Sequence, residues 1–289
     1  MNLWNKNEEK SFFDYYRNDV EIRQLFNRTS DGRFLAYWPK NYTGKKTTLQ
    51  ARNSLIGVYT ENYVAKLLKS VLGDEFEIVQ QAQIPEIGIS KRSPADIAVA
   101  TSKRRILKPD DVKLICEVKM SLVWNWEYDP CTLEITEIGD YRTHQGKPSF
   151  TRSDSILKAI GKCIDIRVSS AKASGIPLIV FGNAPLSNGF CKKADYLKSA
   201  GIIQGFWSLN PFPLNHGNSR KTTPNKGFMR FDNASQLNTS LNKLFNQELN
   251  FFSGMENPSD LGKLIETANL EDNCEDKGLK FLNLLRGIK

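Results

Sequence analysis

The sequence predicts an α/β fold in which helices cover both faces of a mixed β-sheet. Hydrophobic residues make up 40% of the 289 residues, which is enough for a sizeable core. The predicted elements follow the order helix, three strands, helix, strand, helix, strand. The early strands are joined as in hairpins, whereas helices separate the later strands as in βα crossovers. This combination is typical of a mixed sheet between helical layers.

The core elements are predicted between residues 53 and 210, and each follows from its own pattern. Residues 53–72 form an amphipathic helical pattern, and Gly73 is a typical helix stop. Residues 153–175 begin with serine and aspartate and end at a glycine, which indicates a second long helix. Short apolar runs bounded by turn residues predict the strands. The predicted strands are 76–84, 95–101, 112–122, 176–183 and 202–210, and a further helix is predicted for 191–201.

Both ends of the chain are predicted to be helical elaborations of a single domain, residues 1–289. A chain of this length forms one large domain or two small ones, and the short terminal pieces favour one. The N-terminal extension, 1–52, contains a predicted helix at 8–28 followed by a polar stretch. Within the core, residues 129–152 are polar and are predicted to be irregular. The C-terminal elaboration, 211–289, carries predicted helices at 234–250, 258–270 and 275–287.

The charge of the chain indicates a polyanionic partner. Its 40 lysines and arginines stand against 32 aspartates and glutamates, which gives a net charge of +8 and a pI near 9.1. A basic surface attracts nucleic acid first. A solvated basic protein without such a partner is the alternative.

Several other classes of protein are disfavoured. The N-terminus lacks the apolar run of a secretory signal, and no segment approaches the ~20 apolar residues that span a bilayer. Five scattered cysteines without a CxxC pair argue against a disulfide framework and against a zinc site. No segment matches the phosphate-binding loop GxxxxGK(S/T). We therefore expect a cytoplasmic protein that does not contact membranes.

Three charged residues lie in two otherwise apolar strands. Glu117 and Lys119 point to the same face of their strand, together with Ile115 and Ser121. If the two strands pair as a hairpin, Asp96 falls opposite this region. Buried charges are costly unless they are paired or bind a metal, and Mg²⁺ is a hard cation that takes carboxylate oxygens. A cross-strand salt bridge on a half-exposed sheet is the alternative.

The spacing of these residues resembles a known motif. Asp96 follows Pro94 and Ala95, and twenty residues separate it from Glu117, which begins the segment Glu-Val-Lys. This arrangement is similar to the motif of the PD-(D/E)xK nucleases, which share the restriction-endonuclease-like fold; here Ala95 stands between the proline and the aspartate. The element order over 53–210 is similar to the core of that fold. The size of the chain and its many polar loops resemble a type II restriction endonuclease.

The resemblance implies a mechanism and a partner. Asp96 and Glu117 would hold Mg²⁺, and Lys119 would orient or deprotonate the attacking water. The implied substrate is double-stranded DNA, and the implied products carry a 5′-phosphate and a 3′-hydroxyl. Enzymes of this type usually act as homodimers, because two-fold protein symmetry matches the symmetry of the site on the duplex.

Glu61 is a further candidate ligand on the predicted helix 53–72. It lies between Leu68 and Leu72 on the apolar face of that helix. The resemblance implies that a glutamate from the helix before the sheet joins the metal site. The alternative is a glutamate that is favoured near a helix start or extends toward solvent.

The remaining basic, aromatic and histidine residues follow weaker patterns. Two tryptophans in 123–129 are expected to pack in the core or at a dimer contact, with base stacking as the alternative. His144 and His216 lack a spaced partner and are expected to be polar surface residues. Residues expected to contact DNA phosphates, with a solvated surface as the alternative, are Lys103, Arg104, Arg105, Lys158, Lys162, Arg220 and Lys221.

Together these patterns predict a Mg²⁺-dependent type II restriction endonuclease. The first alternative is a repair or recombination nuclease of the same fold, which recognises DNA structure instead of sequence. The second is a non-catalytic DNA-binding protein, and the third is an enzyme of unrelated chemistry. Digestion of plain duplex DNA distinguishes the restriction endonuclease from the repair or recombination nuclease. Discrete fragments indicate restriction, whereas cleavage of junctions alone indicates the alternative.

Overall fold

The computed structural model describes residues 1–247, 249 and 258–285, and its strands form two sheets. The helices are α1 (Lys6–Tyr16), α2 (Ile22–Leu25), α3 (Gln50–Leu72), α4 (Ser153–Ser169), α5 (Asn188–Ser199), α6 (Ala234–Phe245), α7 (Pro258–Ala268) and α8 (Cys274–Leu285). The strands are β1 (Asn27–Arg28), β2 (Phe34–Leu35), β3 (Glu77–Ala82), β4 (Ala95–Ala100), β5 (Val112–Lys119), β6 (Asn125–Tyr128), β7 (Ile135–Gly139), β8 (Leu178–Gly182), β9 (Gly205–Ser208) and β10 (Phe228–Arg230).

The larger sheet is mixed and has six strands in the order β10-β9-β8-β5-β4-β3. Strands β3, β4 and β5 pair antiparallel, whereas β5, β8, β9 and β10 run parallel. Helix α4 lies on the connection from β5 to β8, and α5 lies on the connection from β8 to β9. The predicted α/β class, with a mixed sheet flanked by helices, is confirmed.

The two faces of this sheet pack against different helices. Leu67 and Leu68 of α3 share a buried cluster with Cys116 of β5. Ile115 of β5 packs in the opposite cluster with Ile156 of α4. The alternation that the sequence predicted for β5 is therefore confirmed, because successive side chains of the strand enter different layers. Gly73 ends α3 with a φ of 66°, a conformation that glycine adopts without steric cost.

A second sheet of four strands, in the order β1-β2-β6-β7, was not predicted. The prediction of one helix over 8–28 was wrong, because the chain forms α1, α2 and β1 there. The rings of Phe13 and Phe26 stack with centroids 4.8 Å apart, whereas a continuous helix would separate these residues by about 20 Å along its axis. The prediction that 129–152 is irregular was also wrong in part, since β7 lies within it.

Several element boundaries also differ from the prediction. The predicted helix 153–175 ends as an α-helix at Ser169 and continues as a short 3₁₀ turn at Ala171–Gly175. Strand β10 was missed, because it is three residues long and is defined by its pairing with β9. The predicted helix ends at 250 and 287 lie outside the described residues.

The described chain has no helix that is both long and apolar enough to cross a bilayer. All five cysteines carry free thiols. Three of them are buried in the two core layers and serve there as small apolar side chains. The buried cysteines are Cys116, Cys163 and Cys191.

Candidate active site

Asp96 and the Glu-Val-Lys segment come together at one edge of the larger sheet. Strands β4 and β5 form the predicted hairpin, and Ile97 pairs with Cys116 in its register. The start of β4 therefore lies beside the end of β5. Asp96 Oδ2 accepts a hydrogen bond of 2.7 Å from the backbone N–H of Val118. This bond fixes the Asp96 carboxylate against the strand that carries Glu117.

Lys119 is held next to Glu117 on the same face of β5. Its Nζ lies 2.5 Å from Glu117 Oε1 and also donates to the Val118 carbonyl at 3.4 Å. The Lys119 side chain keeps 25% of its surface exposed. The Lys119 side chain is thus more accessible than that of Glu117, which is nearly covered.

Lys162 of α4 completes the cluster through contacts that the sequence did not predict. Its Nζ lies 2.5 Å from Glu117 Oε2 and 3.2 Å from Asp96 Oδ1. Burial alone lowers the pKa of Lys162, but the charges of Glu117 and Asp96 outweigh burial and raise it. The ammonium thus pairs with both candidate metal ligands, and the expectation that Lys162 contacts a DNA phosphate stays a prediction.

The position of Lys162 on α4 is the signal that the sequence offered for this contact. The buried side of α4 includes Ala159, Cys163 and Ile166. Lys162 is three residues after Ala159 and four before Ile166, so it borders the buried face of the helix. Helix α4 packs over β5, which explains why a lysine at this border reaches the carboxylates.

The pair of carboxylates fits a hard divalent cation. Asp96 and Glu117 each direct one oxygen to the same ammonium, so one cation position is shared by two acidic oxygens. Mg²⁺ is usually held by one or two carboxylates and keeps several waters. A cation at this position would compete with Lys162 for the same oxygens. Across the described residues, no three histidine, cysteine, aspartate or glutamate side chains meet as a metal cluster.

Glu61 lies near this pair but has its own hydrogen-bond partner. Its Oε2 accepts a bond of 2.9 Å from Gln81 Nε2 on β3. Burial raises the pKa of the Glu61 carboxyl, and the charge of Asp96 raises it further. The helix face that carries Glu61 is thus directed toward the site, and its role as a third ligand stays a prediction.

The basic loop between β4 and β5 runs beside β3 toward the active-site edge. Lys103 Nζ lies 3.5 Å from a Glu77 carboxylate oxygen near the start of β3. Arg105 Nε donates to the Gln81 carbonyl at 3.2 Å, and Arg104 between them is exposed. The side chain of Gln81 contacts Glu61, and its backbone carbonyl accepts from Arg105. Gln81 therefore connects Arg105 of this loop to the candidate site.

The other basic candidates lie at separate places. Arg220 Nη2 donates to Asn188 Oδ1 at 3.3 Å, close to the start of α5. Lys221 forms an ion pair with Asp232. Lys158 is exposed on α4, one turn before Lys162. The expectation that these residues contact DNA phosphates stays a prediction.

The two tryptophans after β5 lie in the core, which confirms one of the predicted alternatives. Trp124 and Trp126 are buried. Trp126 Nε1 donates at 2.9 Å to Glu9, a fully buried carboxylate that also accepts the backbone N–H groups of Val123 and Trp124. Burial raises the pKa of Glu9 to about 7. Sequence reasoning missed Glu9, which anchors the chain as it leaves the active-site strand.

His144 is buried, and the expectation that it lies on the surface was wrong. Its ring stacks on Tyr37 with centroids 4.4 Å apart, and Nε2 lies 3.3 Å from the Val123 carbonyl. Burial lowers the pKa of His144 to about 4, so the ring is neutral near pH 7. His216 is exposed, as expected.

Comparisons with known proteins do not assign the chain to a family. No protein-family model matches the sequence, and no curated protein or solved structure matches it significantly. The functional argument therefore rests on the residues at the active-site edge and on their geometry.

Proposed function

We propose that this protein is a Mg²⁺-dependent type II restriction endonuclease with a restriction-endonuclease-like core. The observation that carries the proposal is the meeting of Asp96, Glu117 and Lys119 at the edge where β4 begins and β5 ends. Two acids can hold the metal in metal-assisted phosphodiester hydrolysis, and a half-buried lysine beside them can stabilise negative charge on the phosphate. The net charge of +8 is consistent with duplex DNA as the substrate.

Each residue of the cluster has a separate task in this proposal. Asp96 and Glu117 would hold Mg²⁺, which when bound lowers the pKa of water and stabilises negative charge on the phosphate. Lys119 would orient the attacking water and balance charge on the scissile phosphate. Glu117 Oε1 holds the Lys119 ammonium in place.

The proposed reaction is hydrolysis of the P–O3′ bond. The water oxygen bonds to phosphorus while the bond to the 3′ oxygen breaks. One proton of the water passes through solvent to the 3′ oxygen, and the other is released to solvent as the new 5′-phosphate ionises. The 3′ oxygen takes up a proton, so the products are a 5′-phosphate and a 3′-hydroxyl. In this proposal the half-buried Lys119 ammonium is the group that contacts such a phosphate.

The test is digestion of plasmid DNA by the full-length protein with Mg²⁺, followed by mapping of the ends. We expect discrete fragments, and we expect Lys119→Met to lower the rate by several orders of magnitude because the cluster acts as a unit. Lys113→Met is the matched control, since Lys113 is an exposed lysine at the other end of the same strand. Cleavage by Lys119→Met at the wild-type rate would indicate that the cluster is an ordinary salt-bridge network without a catalytic role.

The same digestion separates the alternatives. Cleavage of junctions or branched DNA alone would indicate a structure-specific repair or recombination nuclease. Retention of DNA in a binding assay without any metal-dependent cleavage would indicate a non-catalytic DNA-binding protein. Asp96→Asn should stop cleavage while leaving DNA binding in place, because it removes a ligand charge and not a surface cation.

The proposal also includes a homodimer. Leu157 of α4 and Tyr196 of α5 are more than half exposed, and they line one apolar depression together with Phe190 and Leu197. Apolar patches on a protein surface often mark sites of association. We place the contact with the second copy at this patch.

A further inference from the structure

A pocket separate from the candidate active site lies between the smaller sheet and the starts of α3 and α4. Its volume is about 480 Å³, and its lining is mainly polar side chains together with two aromatic rings. The residues of its lining are different from those of the active-site cluster. The lining residues that carry the argument are Tyr37, Trp38, Arg52, Lys147, Arg152 and Asp154.

Arg52 is the unusual residue of this pocket. It is only 3% exposed, and its Nη1 donates to the carbonyls of Leu25 and Ala36. Its guanidinium lies over the ring of Tyr37, 4.7 Å from the ring centroid. In the part of the chain that the structure describes, no carboxylate pairs with Arg52 and its Nε–H has no hydrogen-bond partner.

A buried guanidinium without a counter-ion is expensive, since burial of a charge is offset only by pairing. Burial lowers the pKa of Arg52, and Glu9 is the carboxylate whose charge opposes this effect. The oxygens of Glu9, however, already accept four N–H bonds from Trp4, Val123, Trp124 and Trp126. The charge of Arg52 therefore suits an anion that enters from the pocket.

The rest of the lining is also suited to an anion. Lys147 is exposed at the pocket, and Arg152 precedes the first turn of α4, where the helix dipole is positive. Among the described residues that line the pocket, Asp154 is the single carboxylate. It forms a two-point ion pair with Arg152, at 2.7 and 3.2 Å, so its charge is neutralised locally.

We propose that this pocket binds a phosphate group, carried by a nucleotide or by a nucleic-acid strand, with the Arg52 guanidinium and the Lys147 ammonium as its partners. The planar guanidinium presents its N–H groups to phosphate oxygens in a fixed geometry. The volume of the pocket suits a ligand of nucleotide size. The inference does not depend on the proposed nuclease activity, because no residue of the active-site cluster takes part.

The Arg52 Nε–H is a direct probe of this proposal. Proton–nitrogen spectra of the full-length protein in EDTA should resolve this signal, and Arg52→Lys should identify it by its disappearance. Inorganic phosphate and thymidine monophosphate should shift the signal, whereas thymidine should not. We expect thymidine monophosphate to bind at least about tenfold more tightly than thymidine. Equal binding of the two, or an unmoved signal at saturating phosphate, overturns the proposal.

Variants test the pocket without disturbing the buried arginine. Lys147→Met should weaken binding of thymidine monophosphate several-fold, and Lys113→Met, an exposed lysine on β5, should leave it unchanged. Equal affinity in both variants would argue against the pocket. Duplex DNA that displaces thymidine monophosphate identifies a nucleic-acid strand as the source of the phosphate, and failure to displace it identifies a free nucleotide. Because Lys119→Met leaves this pocket intact, loss of cleavage and loss of phosphate binding are separable.

Discussion

Replacement of Lys162 by methionine should show what holds the carboxylates of Asp96 and Glu117 together. The change removes an ammonium that lies 2.5 Å from a Glu117 oxygen and 3.2 Å from an Asp96 oxygen, and it leaves a side chain of similar length. Two carboxylates would then remain close together with Lys119 as their neighbouring cation. Their repulsion, and the loss of the ion pair, should lower the free energy of unfolding.

The size of the effect follows from the geometry. A pair of unit charges at 4 Å interacts by about 4 kcal/mol at the effective dielectric constant of a protein surface. Removal of one partner from a buried ion pair costs about 3–5 kcal/mol. Because the Lys162 side chain is 21% exposed, solvent screens part of the interaction, and we expect the lower figure. In metal-free buffer the free energy of unfolding of Lys162→Met should therefore fall by about 3 kcal/mol.

A divalent cation should reverse this loss. Without the ammonium, Asp96 Oδ1 and Glu117 Oε2 lose their shared partner and can bind Mg²⁺ or Ca²⁺. A ligand at 100 times its Kd stabilises the folded state by about 2.7 kcal/mol. Lys162→Met should thus gain more stability from either metal than the wild-type protein does. The expected gain is comparable to the loss in metal-free buffer.

The assay is urea denaturation in EDTA and in saturating Mg²⁺ or Ca²⁺. Lys158→Met is the matched control, since it makes the same substitution one turn earlier on α4 at an exposed position. Its effect should stay within about 0.5 kcal/mol. Equal stability of the two variants in EDTA, or equal stabilisation of Lys162→Met and wild type by metal, would refute the reasoning.

Three further predictions test other parts of the molecule. Because burial lowers the pKa of His144 from 6.5 to about 4, the folded protein binds fewer protons than the unfolded chain between these values. Stability should fall by about 3 kcal/mol from this group as pH drops from 6.5 to 4. Urea denaturation at both pH values should show this loss as the difference between wild type and His144→Phe, because other buried groups such as Glu9, whose raised pKa acts in the opposite direction, contribute to both proteins; an identical acid dependence in both contradicts it. Glu61→Gln should raise the Mg²⁺ concentration needed for cleavage, while the circular dichroism spectrum stays unchanged. An unchanged Mg²⁺ dependence would show that Glu61 is not a metal ligand. Tyr196→Glu should convert the proposed dimer to a monomer in light scattering, since Tyr196 is 71% exposed; a wild-type monomer or a dimeric variant counts against the contact.

Sequence patterns were sufficient to predict those elements whose structure depends on residues that are neighbours along the chain. The period of the 53–72 helix and the alternation in β5 predicted which side chains enter each core layer. The same alternation placed Glu117 and Lys119 on one face. The hairpin then placed Asp96 beside them, because a strand and its antiparallel partner meet across a short connection.

Local patterns failed for the elements that exist only through distant pairing. Strands β1 and β2 are two residues long, and their segment carries no alternation that could predict a strand. They are defined by pairing with each other and with β6, almost 100 residues further along the chain. The turn after α1, which brings Phe26 onto Phe13, is likewise a result of packing.

The sequence by itself determined the class of the fold, the layer that each side chain of β5 enters, and the charged trio Asp96, Glu117 and Lys119. The tertiary structure alone decided that Lys162 pairs with the two acids, that Glu9 anchors the chain after β5, and that Arg52 is buried beside a polar pocket. Periodicity reports only whether a side chain faces the core or the solvent. The charged group that a side chain contacts depends on how elements remote in sequence pack together. The free energy of that electrostatic interaction depends on the burial of the two charges and on the distance between them.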